Sequence, residues 1–179
     1  WGYYLGGAGG RIALYLTEQG ATFDSFEGLV AAYASVDIDN NGTMHPVSVN
    51  CGTIYVQTAE EAARCGTIIV RNDPLSKVEH GTTTLPVEDG TTAGELMRVK
   101  LVVGAATHLC LARDLTVQDL TIESDSAKLD LQGHNLKVKA PWHAYPQETV
   151  LNAGEWIDGK RPGYENLRWQ GLGFMLMVR

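Results

Sequence analysis

Asp37-x-Asp39-x-Asn41-Gly42-Thr43 places oxygen-bearing side chains at alternate positions with glycine at the sixth, the opening of a loop that can wrap a hard cation. Position twelve is Ser48 rather than a bidentate glutamate. That excludes an EF-hand and leaves a looser calcium site on Asp37, Asp39, Asn41 and Thr43, completed by carbonyls. Turn chemistry alone also selects Asp, Asn and Gly in such a loop, so a plain turn is the competing reading. His45, His80, His108, His134 and His143 show no metal spacing, and no nucleophile signature such as GxSxG is present. The carboxylate pairs Glu60-Glu61, Glu88-Asp89 and Glu123 with Asp125 read as solvated surface unless a cleft brings two together at glycosidase separation. No catalytic residue is assigned, which points away from an enzyme, and calcium is the one cofactor the residues suggest.

After Pro141 the chain scatters Trp142, Tyr145, Trp156, Tyr164 and Trp169 among prolines and glycines. Such rings stack on sugar faces, which makes them a candidate carbohydrate-binding set. They equally serve to cover an apolar interior and an unpaired sheet end. In the last segment Phe174, Leu176 and Val178 fall on one face of a strand and Met175 and Met177 on the other. A strand apolar on both faces wants cover on both sides, from the tail or from a second chain, so self-association through the C-terminal end is expected. Cys51 and Cys65 open two matching segments, Cys-Gly-Thr-Ile-Tyr-Val (51–56) and Cys-Gly-Thr-Ile-Ile-Val (65–70). Stacked in register, their Cα atoms would stand about 5 Å apart, inside disulfide range. Two buried free thiols is the alternative. Cys110 is unpaired and carries no expected chemistry.

The elements that must position these residues are strands. Leu101 and Val103 recur as Leu120 and Ile122, Leu109 and Leu111 as Leu129 and Leu131, and Leu115 and Val117 as Leu136 and Val138. Alternation with period two marks each dyad as a strand, and a repeat near 20 residues that holds three of them predicts one coil of a β-solenoid. The aliphatic members then point inward. Val102, Cys110 and Thr116 point out on one coil, and Thr121, Asp130 and Lys137 on the next. The fold expected is all-β, a right-handed parallel β-helix with loop excursions and an aromatic C-terminal cap; a β-sandwich built from the same dyads is the alternative. Residues 1–140 would form the coils and 141–179 the cap or wing of the same domain.

Composition narrows the function. The chain has 179 residues, 44% hydrophobic and 20% charged, enough for one domain with a real core. A net charge of −7 with scattered lysines and arginines argues against nucleic acid and against anionic membrane surfaces. No run of 18 apolar residues exists, so no membrane insertion is expected. The chain begins at Trp1 rather than Met, so a missing signal peptide says nothing about location. The glycine cluster Gly6, Gly7, Gly9 and Gly10 admits a dinucleotide-binding opening with a helix from Arg11. Gly20 and Thr22 would cut that helix short, and a tight turn explains the glycines without a ligand.

Gly-Gly-Ala-Gly-Gly-Arg-Ile-Ala-Leu-Tyr (6–15), a strand ending Ala-Ala-Tyr (31–33), the two Cys-Gly-Thr-Ile segments, and Leu-Asp-Leu-Gln-Gly-His-Asn-Leu-Lys-Val (129–138) follow in one order. That order resembles the glycine-rich repeat modules of very large secreted or surface-anchored bacterial β-helix proteins of planctomycete, verrucomicrobial and myxobacterial type. The resemblance covers about residues 6 to 140. It implies a parallel β-helix and an extracellular setting, and it carries over no catalytic residues. Cys51 and Cys65 stand where small residues are usual, and the 37–50 loop lacks the common glycines. The function expected is a non-enzymatic structural or adhesive module of a secreted or cell-surface bacterial protein, able to self-assemble. The alternative is a β-helix that binds or degrades polysaccharide.

Overall fold

The computed structural model describes residues 8–23, 26–34, 37–38, 41, 44–45, 50–72, 82–85, 98–141, 145–157 and 163–170. The dyads of 100–138 form strands because each alternates an aliphatic residue with a smaller or polar one. The strands are β7 (Lys100–Val103), β8 (His108–Leu111), β9 (Leu115–Val117), β10 (Asp119–Ile122), β11 (Lys128–Asp130) and β12 (Leu136–Val138). Each pairs in parallel with its sequence counterpart: Leu101 with Leu120, Leu109 with Leu129, Leu115 with Leu136. The inward members Leu101, Val103, Leu109, Leu111, Val117, Leu120, Leu129, Leu131, Leu136 and Val138 are at most 1% exposed. Each such side chain contributes about 1.5–3 kcal/mol by leaving water.

Three larger sheets result. The first runs from β1 (Arg11–Tyr15) through β4 (Thr53–Gln57) and β5 (Thr67–Val70) to β7 and β10. The second joins β6 (Thr82–Leu85), β8, β11 and β13 (Val150–Leu151). The third joins β9, β12, β16 (Leu167–Trp169), β15 (Gly163–Tyr164) and β14 (Trp156–Ile157). A separate antiparallel pair links β2 (Asp37–Ile38) to β3 (Met44–His45), and a 3₁₀ turn spans Gln147–Thr149. No helix among the described residues is long and apolar enough to cross a membrane.

The described residues are all-β, but the expected single right-handed parallel β-helix is overturned. Among the described residues the strands fall into three larger sheets, and the first and third are mixed: β4 and β5 pair antiparallel, and so do β14 with β15 and β15 with β16. Connection length is the physical reason. Residues 58–66 between β4 and β5 are too few for the crossover that a parallel pair needs, whereas β7 reaches β10 by way of two other strands. The sandwich alternative also fails, because three sheets form and their longest ladders are parallel. At the C-terminal end β16 extends the third sheet, with Val138 opposite Trp169.

At the N-terminal end the glycines serve close backbone approach. A Cβ at Gly9 would run into the Ala32 carbonyl, and one at Gly52 into the Gly10 carbonyl. Gly52 N–H donates to Ala32 O at 2.7 Å and Thr53 N–H to Gly10 O at 3.1 Å, which only bare backbones can do at this spacing. Arg11–Tyr15 is a strand paired with β4, so the helix required by a dinucleotide-binding opening is not formed.

Candidate functional site

The outward face of the second sheet holds the cluster with the most chemistry. On β8, Leu109 and Leu111 point into the core, which turns His108 and Cys110 to the opposite face. Asp130 is the register partner of Cys110 across the parallel ladder, so one row of the face carries thiol and carboxylate side by side. Both are nearly covered, Cys110 at 7% and Asp130 at 5% exposure. Ligand atoms of His108, Cys110 and Asp130 all lie within 4.8 Å of one another.

Asp130 is held from two turns. Gln132 donates its backbone N–H to Oδ1 at 2.9 Å and its Nε2 to Oδ2 at 2.6 Å, and Asn152 Nδ2 donates to Oδ1 at 2.8 Å. Gln132 (φ 51°) and Asn152 (φ 50°) occupy the left-handed region, and each aims its side chain back at the carboxylate. His108 Nε2 stands 3.6 Å from Asp130 Oδ2, beyond hydrogen-bonding distance, and this buried nitrogen has no hydrogen-bond partner. Gln132 Nε2 also reaches Cys110 Sγ at 3.6 Å.

The electrostatics separate the two acids. Burial pushes the Cys110 thiol up and the Asp130 charge pushes it further, so it is protonated at neutral pH rather than poised as a nucleophile. Burial works in the same direction on Asp130, but its hydrogen bonds from Gln132 and Asn152 and the nearby His108 together outweigh it. The carboxyl is held below its ordinary value.

The sequence-derived sites fare differently. Tyr145 and Trp169 stack with centroids 6.1 Å apart, and Trp169, 7% exposed, belongs to the core against which Tyr145 and Tyr164 pack. Trp156 meets Tyr164 edge-on at 5.1 Å, and Tyr164 Oη donates to Gln147 O at 2.8 Å. Burial drives the Tyr145 hydroxyl far above the ordinary tyrosine value. Trp169 is buried, Tyr145, Trp156 and Tyr164 each keep part of their surface, and Trp142 lies outside the described residues. Of the calcium loop, Asp37 is a backbone partner of His45 in the β2–β3 pair and Asn41 lies in the turn, while Asp39 and Thr43 lie outside the described residues.

The Cys51–Cys65 disulfide is not formed; Cys51, Cys65 and Cys110 are all free. Antiparallel pairing of β4 with β5 sets Tyr55 opposite Ile68, which sends the two cysteines, each just before its own strand, to opposite ends of the ladder. Cys51 is buried, 3.2 Å from Thr83 Oγ1, whereas Cys65 sits at the surface turn with its Sγ 3.7 Å from Ala63 O. Of the carboxylate pairs, Glu61 binds Lys100 at 3.0 Å, Glu60 accepts from Gly20 N–H, and Glu123 takes a two-pronged contact from Arg71 at 2.6 and 3.1 Å, while Glu88 and Asp89 lie outside the described residues. A cleft of about 620 Å³ beside the ring pair of exposed Tyr15 and half-buried Tyr55 is lined also by Ile54, Arg64, Ile68 and Val99.

Sequence reasoning missed the His108, Cys110 and Asp130 cluster. The signal was present, because Cys110 and Asp130 occupy the same outward position of successive repeats. No family model, curated protein or solved structure matches the chain, and nothing in these comparisons identifies a glycine-rich repeat module.

Proposed function

We propose that the chain is a non-enzymatic structural or adhesive module of a secreted or cell-surface bacterial protein, with its C-terminal end available for assembly with further copies. The observation that carries this reading is how the polar side chains are spent. Ala106 N–H donates to Ser126 Oγ, Lys128 Nζ to Glu148 O, Asn135 to both oxygens of Asp114, and Asn152 to Asp130. Each tie joins residues 20 to 22 positions apart, one rung to the next. Aliphatic dyads stacked inside and polar ties outside both act along the same axis, which suits a stiff spacer that presents loops. The resemblance of residues 6–140 to surface modules supports the extracellular setting.

Polysaccharide binding is the second reading, favoured by the partly exposed Trp156 and Tyr164. Co-sedimentation of the intact chain with insoluble polysaccharides separates the two. A scaffold stays in the supernatant, and Trp156→Ala changes nothing. Retention that Trp156→Ala abolishes would replace the first reading with the second. Light scattering after size exclusion tests the assembly surface: mass should rise with concentration, and a strict monomer at high concentration removes that part of the proposal.

A further inference from the structure

We propose that His108 Nε2, Cys110 Sγ and the Asp130 carboxylate bind one borderline-soft divalent cation of the zinc class. Nothing in the scaffold role requires it. Three donors of different softness converge on one face because His108 and Cys110 are two apart on β8 and Asp130 is the neighbour of Cys110 on β11. Imidazole, thiol and carboxylate are the ligand types zinc takes, and the thiol disfavours calcium or magnesium at this place.

Geometry supports the assignment. With zinc–ligand bonds of about 2.0 to 2.3 Å, tetrahedral donors stand roughly 3.4 to 3.7 Å apart. The His108–Asp130 pair is already at 3.6 Å, and the widest separation in the group is 4.8 Å at most. His108 retains 27% side-chain exposure, so its ring can swing by the remaining ångström while Cys110 and Asp130 stay seated. A buried imidazole nitrogen without a hydrogen-bond partner is costly, and a metal bond satisfies it. The supporting shell exists: Gln132 and Asn152 fix the carboxylate, and Gln132 reaches the sulfur. Lys128, the register partner of His108, turns its ammonium to Glu148 O.

On binding, the Cys110 S–H bond breaks, its proton goes to water and the thiolate pair forms the metal–sulfur bond. His108 binds as neutral imidazole through Nε2 and Asp130 through a carboxylate oxygen. A dication with one thiolate and one carboxylate is neutral, which suits a largely covered site. Three protein donors leave a fourth position for water.

Cobalt(II) titration of the intact, reduced chain reads the site, with zinc as competitor. The expected result is one equivalent bound, a thiolate-to-cobalt charge-transfer band, and its loss on adding zinc. Cys110→Ser should abolish the band and His108→Gln should weaken binding at least tenfold, while Cys51→Ser and Cys65→Ser leave both unchanged. Absence of saturable binding, or a band that survives Cys110→Ser, overturns the proposal. If Cys110→Ser fails to fold, the imidazole ¹⁵N resonances of the unaltered chain decide: zinc must shift Nε2 of His108, and an unmoved resonance overturns the site. Polysaccharide retention and metal binding are independent readouts, so failure of one leaves the other standing.

Discussion

Two pairs of near-identical segments behave in opposite ways. Residues 51–56 and 65–70 are the most similar repeats in the chain, yet β4 and β5 pair antiparallel; the looser dyads of 100–138 pair in parallel and in register. Likeness of sequence therefore does not set strand direction. The connection does: residues 58–66 close a reversal, while the path from β7 to β10 carries two further strands before it returns. The two regions also cohere by different means. In 100–138 stacked aliphatics and polar ties hold adjacent rungs, whereas at 9–10 and 52–53 bare glycine backbones approach each other directly.

The largest expected effect separates the regions outright. Leu129→Ala should cost about 2–5 kcal/mol in denaturant unfolding, because Leu129 is wholly buried between Leu109 and Val150. Half-buried Ile68→Ala in the antiparallel region should cost clearly less, and equal losses would erase the distinction. Gly52→Ala should destabilise by about 1–3 kcal/mol although it adds only a methyl, since that methyl meets backbone that must move. An unchanged melting temperature would refute the close approach.

Asp130→Asn should cost about 1–3 kcal/mol at neutral pH by setting an amide against the donors of Gln132 and Asn152. The folded Asp130 carboxyl lies below its ordinary value, so its stabilisation is present above the unfolded pKa of about 3.9 and is lost as pH falls through the folded one. The gap between the unaltered chain and Asp130→Asn should thus narrow as pH falls below about 5. A constant gap would contradict the clamp. The smallest effect concerns Arg71, whose side chain passes over Gly104 to reach Glu123. A double-mutant cycle of Arg71→Ala with Glu123→Ala should return about 0.2–1 kcal/mol, as partly exposed ion pairs do.

The strands of 100–138 were legible because period-two alternation reports burial directly, and Leu101, Leu109 and Leu129 are buried as their positions require. Direction across β4 and β5 was not legible, since the two Cys-Gly-Thr-Ile segments fit either sense until the turn at 58–66 is known to close. The bulk of Trp169 resembled a sugar platform in sequence but fills the core opposite Val138, because aromatic rings serve burial and recognition with the same surface. The metal-ligand group escaped notice because His108 and Cys110 meet Asp130 only across a ladder, not along the chain.

Interstrand nuclear Overhauser effects test the central contrast most directly. Close Hα–Hα contacts should link β4 to β5 around Tyr55 and Ile68, while β8 and β11 show only the amide-to-Hα pattern of parallel strands with Leu109 beside Leu129. Hα–Hα contacts between β8 and β11, or a parallel pattern between β4 and β5, would contradict the account.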